Sequence, residues 1–202
     1  MTPEDITFLR EGEEWPHDRE RIRKYEDYRK LFIGSHEQID GWKAAFNIIQ
    51  REDKHLIHVL HDLPKAIPKL FADLLVGETP NITAENEEDQ SWLDDFIERN
   101  KLYRLIHKGV HSQSYRGDAV LKLSLVDGKA KLSLVPASYW FPIIDETDVT
   151  EFMGHVFAWT VKRGDQEYLR AEIHFPGSVH QRAFALTGGR IGARVSTKSL
   201  GI

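Results

Sequence analysis

The chain of 202 residues contains no cysteine, which excludes disulfides and thiolate metal sites. No apolar run approaches the roughly 20 residues that a membrane-spanning helix needs. The opening stretch, "MTPEDITFLREGEEWPHDRERIRKYEDYRK", is too charged to serve as a secretory signal. Internal repeats and low-complexity linkers are missing as well. So are three catalytic templates: the G-x-x-x-x-G-K-[ST] loop, a G-x-G-x-x-G after a strand, and the G-x-S-x-G elbow. Positive charge is not in excess either, with 27 Lys and Arg against 32 Asp and Glu for a net charge of -5. A surface that grips phosphates needs clustered Lys and Arg, so DNA near this protein is expected to slide past. Only the last stretch is basic, through Arg182, Arg190, Arg194 and Lys198, and a solvated face accounts for it. An intracellular or virion setting fits these absences.

What is present suits a soluble globular chain, 41% hydrophobic and 29% charged, long enough for one large domain or two small ones. The pattern changes near residue 117, from helical spacing to strand spacing, which predicts an α+β fold with helices first and an antiparallel sheet after. Residues 1–17 read as a flexible acidic arm. Residues 18–116 form the helical part, 117–195 the sheet part, and 196–202 a tail.

From Asp18 to Phe32, the residues Ile22, Tyr25, Tyr28, Leu31 and Phe32 mark one helical face, ended by Gly34. Residues 40–60 place Trp42, Phe46, Ile49, Leu56 and Leu60 on one face if they form a single helix, and the polar run "QREDK" allows a break. Next, Ile67, Leu70, Phe71, Leu74 and Leu75 follow amphipathic spacing. Asp62 is placed to cap that helix, with Pro64 in its first turn and Gly77 just past its end. Pro68 shifts the start or kinks it. With this face taken as core, Leu74→Ala is expected to cost on the order of 2–5 kcal/mol. Trp92, Leu93, Phe96 and Ile97 form a second stripe, and Leu102, Leu105, Ile106 and Val110 a third that could continue it past Asn100.

"DAVLKLSLVDGKAKLSLVP" then reads as a β-hairpin around Asp127-Gly128. A two-residue turn pairs Leu125 with Ala130, Leu123 with Leu132, and Leu121 with Leu134. The opposite face pairs Ser124 with Lys131 and Lys122 with Ser133. One face is apolar, and it is expected to cover a core. Further strands are expected at "FMGHVFAWTVKR", "EYLRAEIHF" and "VHQRAFALT".

The candidate chemistry lies in the histidines. His55, His58 and His61 step by three, so neighbours in the series can meet on a helix while the outer two point about 120° apart. His107 and His111 have the i, i+4 spacing of a metal pair but no Glu beside His107 to act as base. Exposed or capping histidines explain both groups. "HDLPK" also looks like the His-Asp dyad of HD-type phosphohydrolases, with His61 and Asp62 as the dyad, His36 as an earlier ligand and Asp94 or Asp95 as the last. Such a site would activate a metal-bound water against a phosphate ester. Pro64 stands where that family has Gly, and the change to sheet departs from an all-helical domain.

Four stretches in order resemble another family. "LPKAIPKLFADLLVGETPNI" is similar to a helix near the start of tailed-bacteriophage portal proteins, with its Ala-Asp-Leu-Leu, Gly-Glu and Pro. "WLDDFIERNKLYRLIHKGVHSQSYRGDAVLKLSL" resembles their helix ending in Gly-Asp before a strand. "GKAKLSLVPASYWFPIID" resembles the returning strand, and "EYLRAEIHFPGSVHQRAFAL" the wing strands that follow. The resemblance runs from about Tyr25 to Ile191.

The resemblance implies a structural wing domain and no enzyme: no catalytic residue, no metal and no cofactor. It implies a dodecameric ring at a capsid vertex, assembled in the host cytoplasm and retained in the virion. Its partners would be capsid and scaffold proteins, the terminase motor, head-completion and tail adaptor proteins, and double-stranded DNA passing non-specifically, with no membrane. A net negative conduit would discourage DNA from sticking. Portal chains continue into a stem helix, a clip and a crown, and nothing after Ile191 resembles these. The stretch is therefore expected to be the N-terminal wing region alone.

Overall fold

The computed structural model describes residues 2–35 and 63–197. Among them, four α-helices precede two antiparallel sheets, an α+β architecture. The chain separates into two compact units, residues 1–22 with 138–202, and residues 23–137. The hairpin expected to begin the sheet part belongs instead with the helices.

In the sheet unit, five strands form a meander in the order β3-β4-β5-β6-β7: β3 (Trp140–Ile144), β4 (Phe152–Arg163), β5 (Gln166–Phe175), β6 (Ser178–Thr187) and β7 (Arg190–Val195). Strict alternation directs Leu169, Ala171 and Ile173 of β5 to one face. The register sets Val156 against Ile173, Ala158 against Ala171, and Phe184 against Leu169. Phe141, Leu169, Ile173, Ile191 and Val156 are each under 2% exposed.

The N-terminal segment completes this core. Residues expected to form a loose arm contribute Ile6, Leu9 and Trp15 to it. Backbone bonds fix the segment, from Gly12 N–H to Ile191 C=O, from Trp15 N–H to Gly189 C=O, and from Ile191 N–H to Glu13 C=O. Arg182 donates to Glu4 and to the Pro3 carbonyl. The acidic residues thus lie outward or pair with arginine, while the few apolar ones turn in. Two 3-10 turns, Pro3–Asp5 and Thr7–Leu9, give the segment no period that a helix or strand pattern would detect.

The division between the units falls within α1 (Arg19–Phe32). Its end is a Schellman turn: Ser35 N–H reaches Lys30 C=O and Gly34 N–H reaches Leu31 C=O, with Gly34 at φ 78. In the helical unit, α2 (Leu63–Val76) keeps Pro68 inside it. The N–H that Pro68 lacks would have met Pro64 in the first turn, so the lost bond leaves the rest of the helix intact. At Gly77 a Cβ would sit 2.1 Å from the Asp73 carbonyl oxygen, so the helix end requires glycine.

Asn86 caps α3 (Glu87–Asn100), accepting from Asp89 N–H at 2.8 Å. Lys101, at φ 49, separates α3 from α4 (Leu102–Arg116). The second and third stripes are therefore two helices. The hairpin of β1 (Val120–Val126) and β2 (Lys129–Val135) has the expected register at every pair. Asp127 and Gly128 both take positive φ, 50 and 74, as a type I′ turn demands.

Candidate interaction surface

The helical unit leaves much of its apolar surface open. In α2 only Pro68 and Ala72 are buried, packed toward α4, where Asp73 Oδ1 bonds His107 Nε2 at 2.8 Å. Ile67, Leu70, Phe71 and Leu74 centre about a third of a turn away from that side, at ~100° per residue. They are 61%, 60%, 51% and 75% exposed. The amphipathic spacing is present, but the face expected to be core lies outward. The Leu74→Ala expectation of a cavity falls with it, because no packed shell surrounds that side chain.

The hairpin shows the same departure. Its apolar face was expected to cover a core. On β2, Leu132 and Leu134 are partly buried, with Leu134 beside Gly109 of α4. On β1, Leu121, Leu123 and Leu125 are exposed, at 47%, 60% and 76%.

The two edges of the hairpin also differ. A two-residue turn aims the backbone groups of Ala130 and Leu132 away from β1, and those of Leu121, Leu123 and Leu125 away from β2. Asn100 covers the β2 edge. Its Nδ2 donates to Ala130 C=O at 3.3 Å, and its Oδ1 accepts from Leu132 N–H at 2.8 Å. Among the described residues the β1 edge pairs with no strand other than β2. Asn100 escapes sequence reading because its targets are far along the chain. The signal for the β1 edge is the alternating run "VLKLSLV" itself.

Two hollows border these faces. One, about 230 Å³, lies between α1, α2 and α4 with Tyr28, Phe32, Ile67 and Tyr115 in its walls. The other, about 340 Å³, sits under the hairpin turn beside Arg99, Asp127, Lys129 and Lys131.

The proposed metal ligands fare differently. His36, His55, His58, His61 and Asp62 lie outside the described residues, as does Lys198. Asp94 accepts from Gln90 Nε2 at 2.8 Å, and Asp95 pairs with Arg99 at 2.6 Å, so both serve their own helix. His107 and His111 point to separate tasks. The first bonds Asp73 across the helix pair, and the second packs edge-on to Phe32 at 5.1 Å. Burial, and then the charge of His107, push the His111 pKa down. Among the described residues no three His, Asp or Glu side chains form a metal-sized group, and no helix is long and apolar enough to cross a membrane. Of the basic tail, Arg182 is paired with Glu4 and Arg190 with Glu14.

In the sheet unit His155 and His174 face each other across β4 and β5. Trp140 Nε1 donates to His155 Nδ1 at 3.2 Å, and His174 Nε2 meets Glu172 at 2.7 Å. Burial, and then the neighbouring His174, lower the His155 pKa.

Neither the models of known protein families nor the curated proteins give a match to this chain.

Proposed function

We propose that this chain is the wing region of a tailed-phage portal protein, a structural part of the DNA-packaging vertex and not an enzyme. The observation that carries the reading is the open apolar surface of the helical unit, on α2 and on β1. Several large apolar side chains exposed together on one helix face and one strand suit an interaction site, and a ring subunit must pack against neighbours on both sides.

The motif order supports the same reading. The Ala-Asp-Leu-Leu run lies on α2, and Gly117-Asp118 lies in the short link between the end of α4 at Arg116 and the start of β1 at Val120. The Val135-Pro136 step closes β2, and Pro142-Ile143 lies in β3. In this role the chain would join a dodecameric ring at one capsid vertex. It would meet capsid and scaffold proteins, the terminase motor and tail adaptors, and let double-stranded DNA pass without gripping it.

Co-expression of the full-length gene product with its capsid and scaffold proteins, followed by electron microscopy and native mass spectrometry, tests this. Rings incorporated into procapsids are expected. A species that never enters procapsids overturns the reading.

A further inference from the structure

We propose that the β1 edge is a self-recognition site, at which two copies of this chain join their hairpins into one four-stranded antiparallel sheet. The inference goes beyond the portal reading, since a ring uses heterologous contacts and this contact is two-fold. It starts from the edge itself. Leu121, Leu123 and Leu125 aim their N–H and C=O groups away from β2, and among the described residues they meet no strand there. An unpaired edge with an apolar face is a template for another strand.

The sequence of β1 specifies which strand. Val120-Leu121-Lys122-Leu123-Ser124-Leu125-Val126 reads nearly the same in both directions. Antiparallel pairing of two copies about Leu123 sets Leu123 against Leu123 of the second copy, Leu121 against Leu125, Lys122 against Ser124, and Val120 against Val126. All three outward-facing residues of one copy then meet outward-facing residues of the other, so every open N–H finds a carbonyl. The leucines stay on one common face, and each Lys meets a Ser.

Neighbouring registers are worse. A slip of one residue sets outward backbone groups against inward ones. Centring on Lys122 places two ammonium groups directly opposite, which destabilises a sheet. Centring on Ser124 sets Leu121 against Asp127, whose φ of 50 is not extended. The β2 edge cannot substitute, because Asn100 already occupies it. One edge is closed from within the chain, and the open one is self-complementary.

The area is modest. Edge pairing of one short strand falls under about 1,200 Å², the range of weak contacts, so association is expected to be weak and concentration-dependent.

The absence of cysteine makes the test direct. Across a hydrogen-bonded antiparallel pair the Cα atoms lie about 5.5 Å apart, within disulfide reach. Leu123→Cys is expected to form a covalent dimer under copper-phenanthroline oxidation, read on a non-reducing gel. Leu121→Cys and Leu125→Cys alone are expected to stay monomeric, since each lies about 14 Å from its own copy. Mixed together they are expected to crosslink. Leu123→Lys, checked for folding by circular dichroism, is expected to abolish the concentration-dependent rise in mass seen by sedimentation velocity.

Equal crosslinking by all three single cysteines overturns the proposal, as does a wild-type chain that remains monomeric at millimolar concentration. A monomeric wild type would assign the edge to a different protein. A chain that enters rings without crosslinking at position 123 defeats this inference alone. One that crosslinks there and never enters procapsids defeats the portal reading alone.

Discussion

The sheet unit and the helical unit are built from similar apolar material and use it in opposite ways. In the first, Phe141, Val156, Leu169 and Ile173 are essentially sealed, and even the charged N-terminal segment turns Ile6, Leu9 and Trp15 inward. Among the described residues of the second, those buried are Tyr25, Gly109 and Ala137 with Pro68 and Ala72, while leucines of α2 and β1 lie open. A closed core accounts for stability in isolation. An open face does not add to that stability, and the apolar area still exposed is the area available to a partner. The two units therefore differ in how much apolar area they leave available to a partner.

The sharpest way to break that contrast is a pair of identical substitutions. Leu169→Ala is expected to destabilise by about 2–5 kcal/mol, through the cavity left in a sealed core. Leu74→Ala is expected to stay within about 0.5 kcal/mol, because an exposed side chain leaves no cavity. Urea unfolding of the two variants decides it. Comparable losses would mean that α2 is covered after all and that the contrast between the units is wrong.

Smaller effects probe the backbone of each unit. At Gly154 a Cβ would lie 2.8 Å from both the His174 carbonyl oxygen and the Phe175 ring. Gly154→Ala is expected to cost about 1–3 kcal/mol, because the crowding is against a neighbouring strand that cannot yield freely. In the helical unit, Asn100→Ala removes the amide that serves Phe96 C=O, Ala130 C=O and Leu132 N–H. A loss of about 1–2 kcal/mol is expected. Faster hydrogen exchange at the Leu132 amide is the specific readout. Unchanged exchange there would show that β2 does not depend on its edge cover.

Local rules made much of the fold legible. The Asp127-Gly128 turn dictates the hairpin register, since positive φ at both positions admits one pairing. Helix ends at Gly34 and Gly77 follow from glycine alone: the φ of 78 at Gly34 strains any other residue, and a Cβ at Gly77 would meet the Asp73 carbonyl. Coverage was not legible. Spacing shows that Ile67, Leu70, Phe71 and Leu74 share a face but not what lies on it, and the answer depends on contacts far along the chain. The N-terminal segment escaped for the opposite reason, its few buried residues having no period to detect. In the same way His107 and His111 have metal-pair spacing, yet Asp73 and Phe32, from other helices, claim them. The β1 edge was in view as an alternating run. That no second strand meets it among the described residues became visible only beside Asn100 closing the other side.

The mildest effect is the pH dependence that His155 adds in the sheet unit, beside that of His111 in the helical unit. His155 accepts a hydrogen bond from Trp140 Nε1 at its Nδ1, which requires an unprotonated nitrogen there. Burial and His174 lower its pKa below the ordinary 6.5. The unfolded chain, with the ordinary value, therefore binds the proton first as pH falls, so unfolding takes up protons and stability declines. Stability attributable to His155 is fully present above about pH 6.5 and is lost as pH drops through the lower folded value. His155→Phe, which keeps an aromatic ring but cannot titrate, is expected to flatten the fall in melting temperature between about pH 6.5 and pH 5. Leu74→Ala is expected to leave the slope unchanged. A wild-type melting temperature level across that window would remove His155 from the account of the closed core.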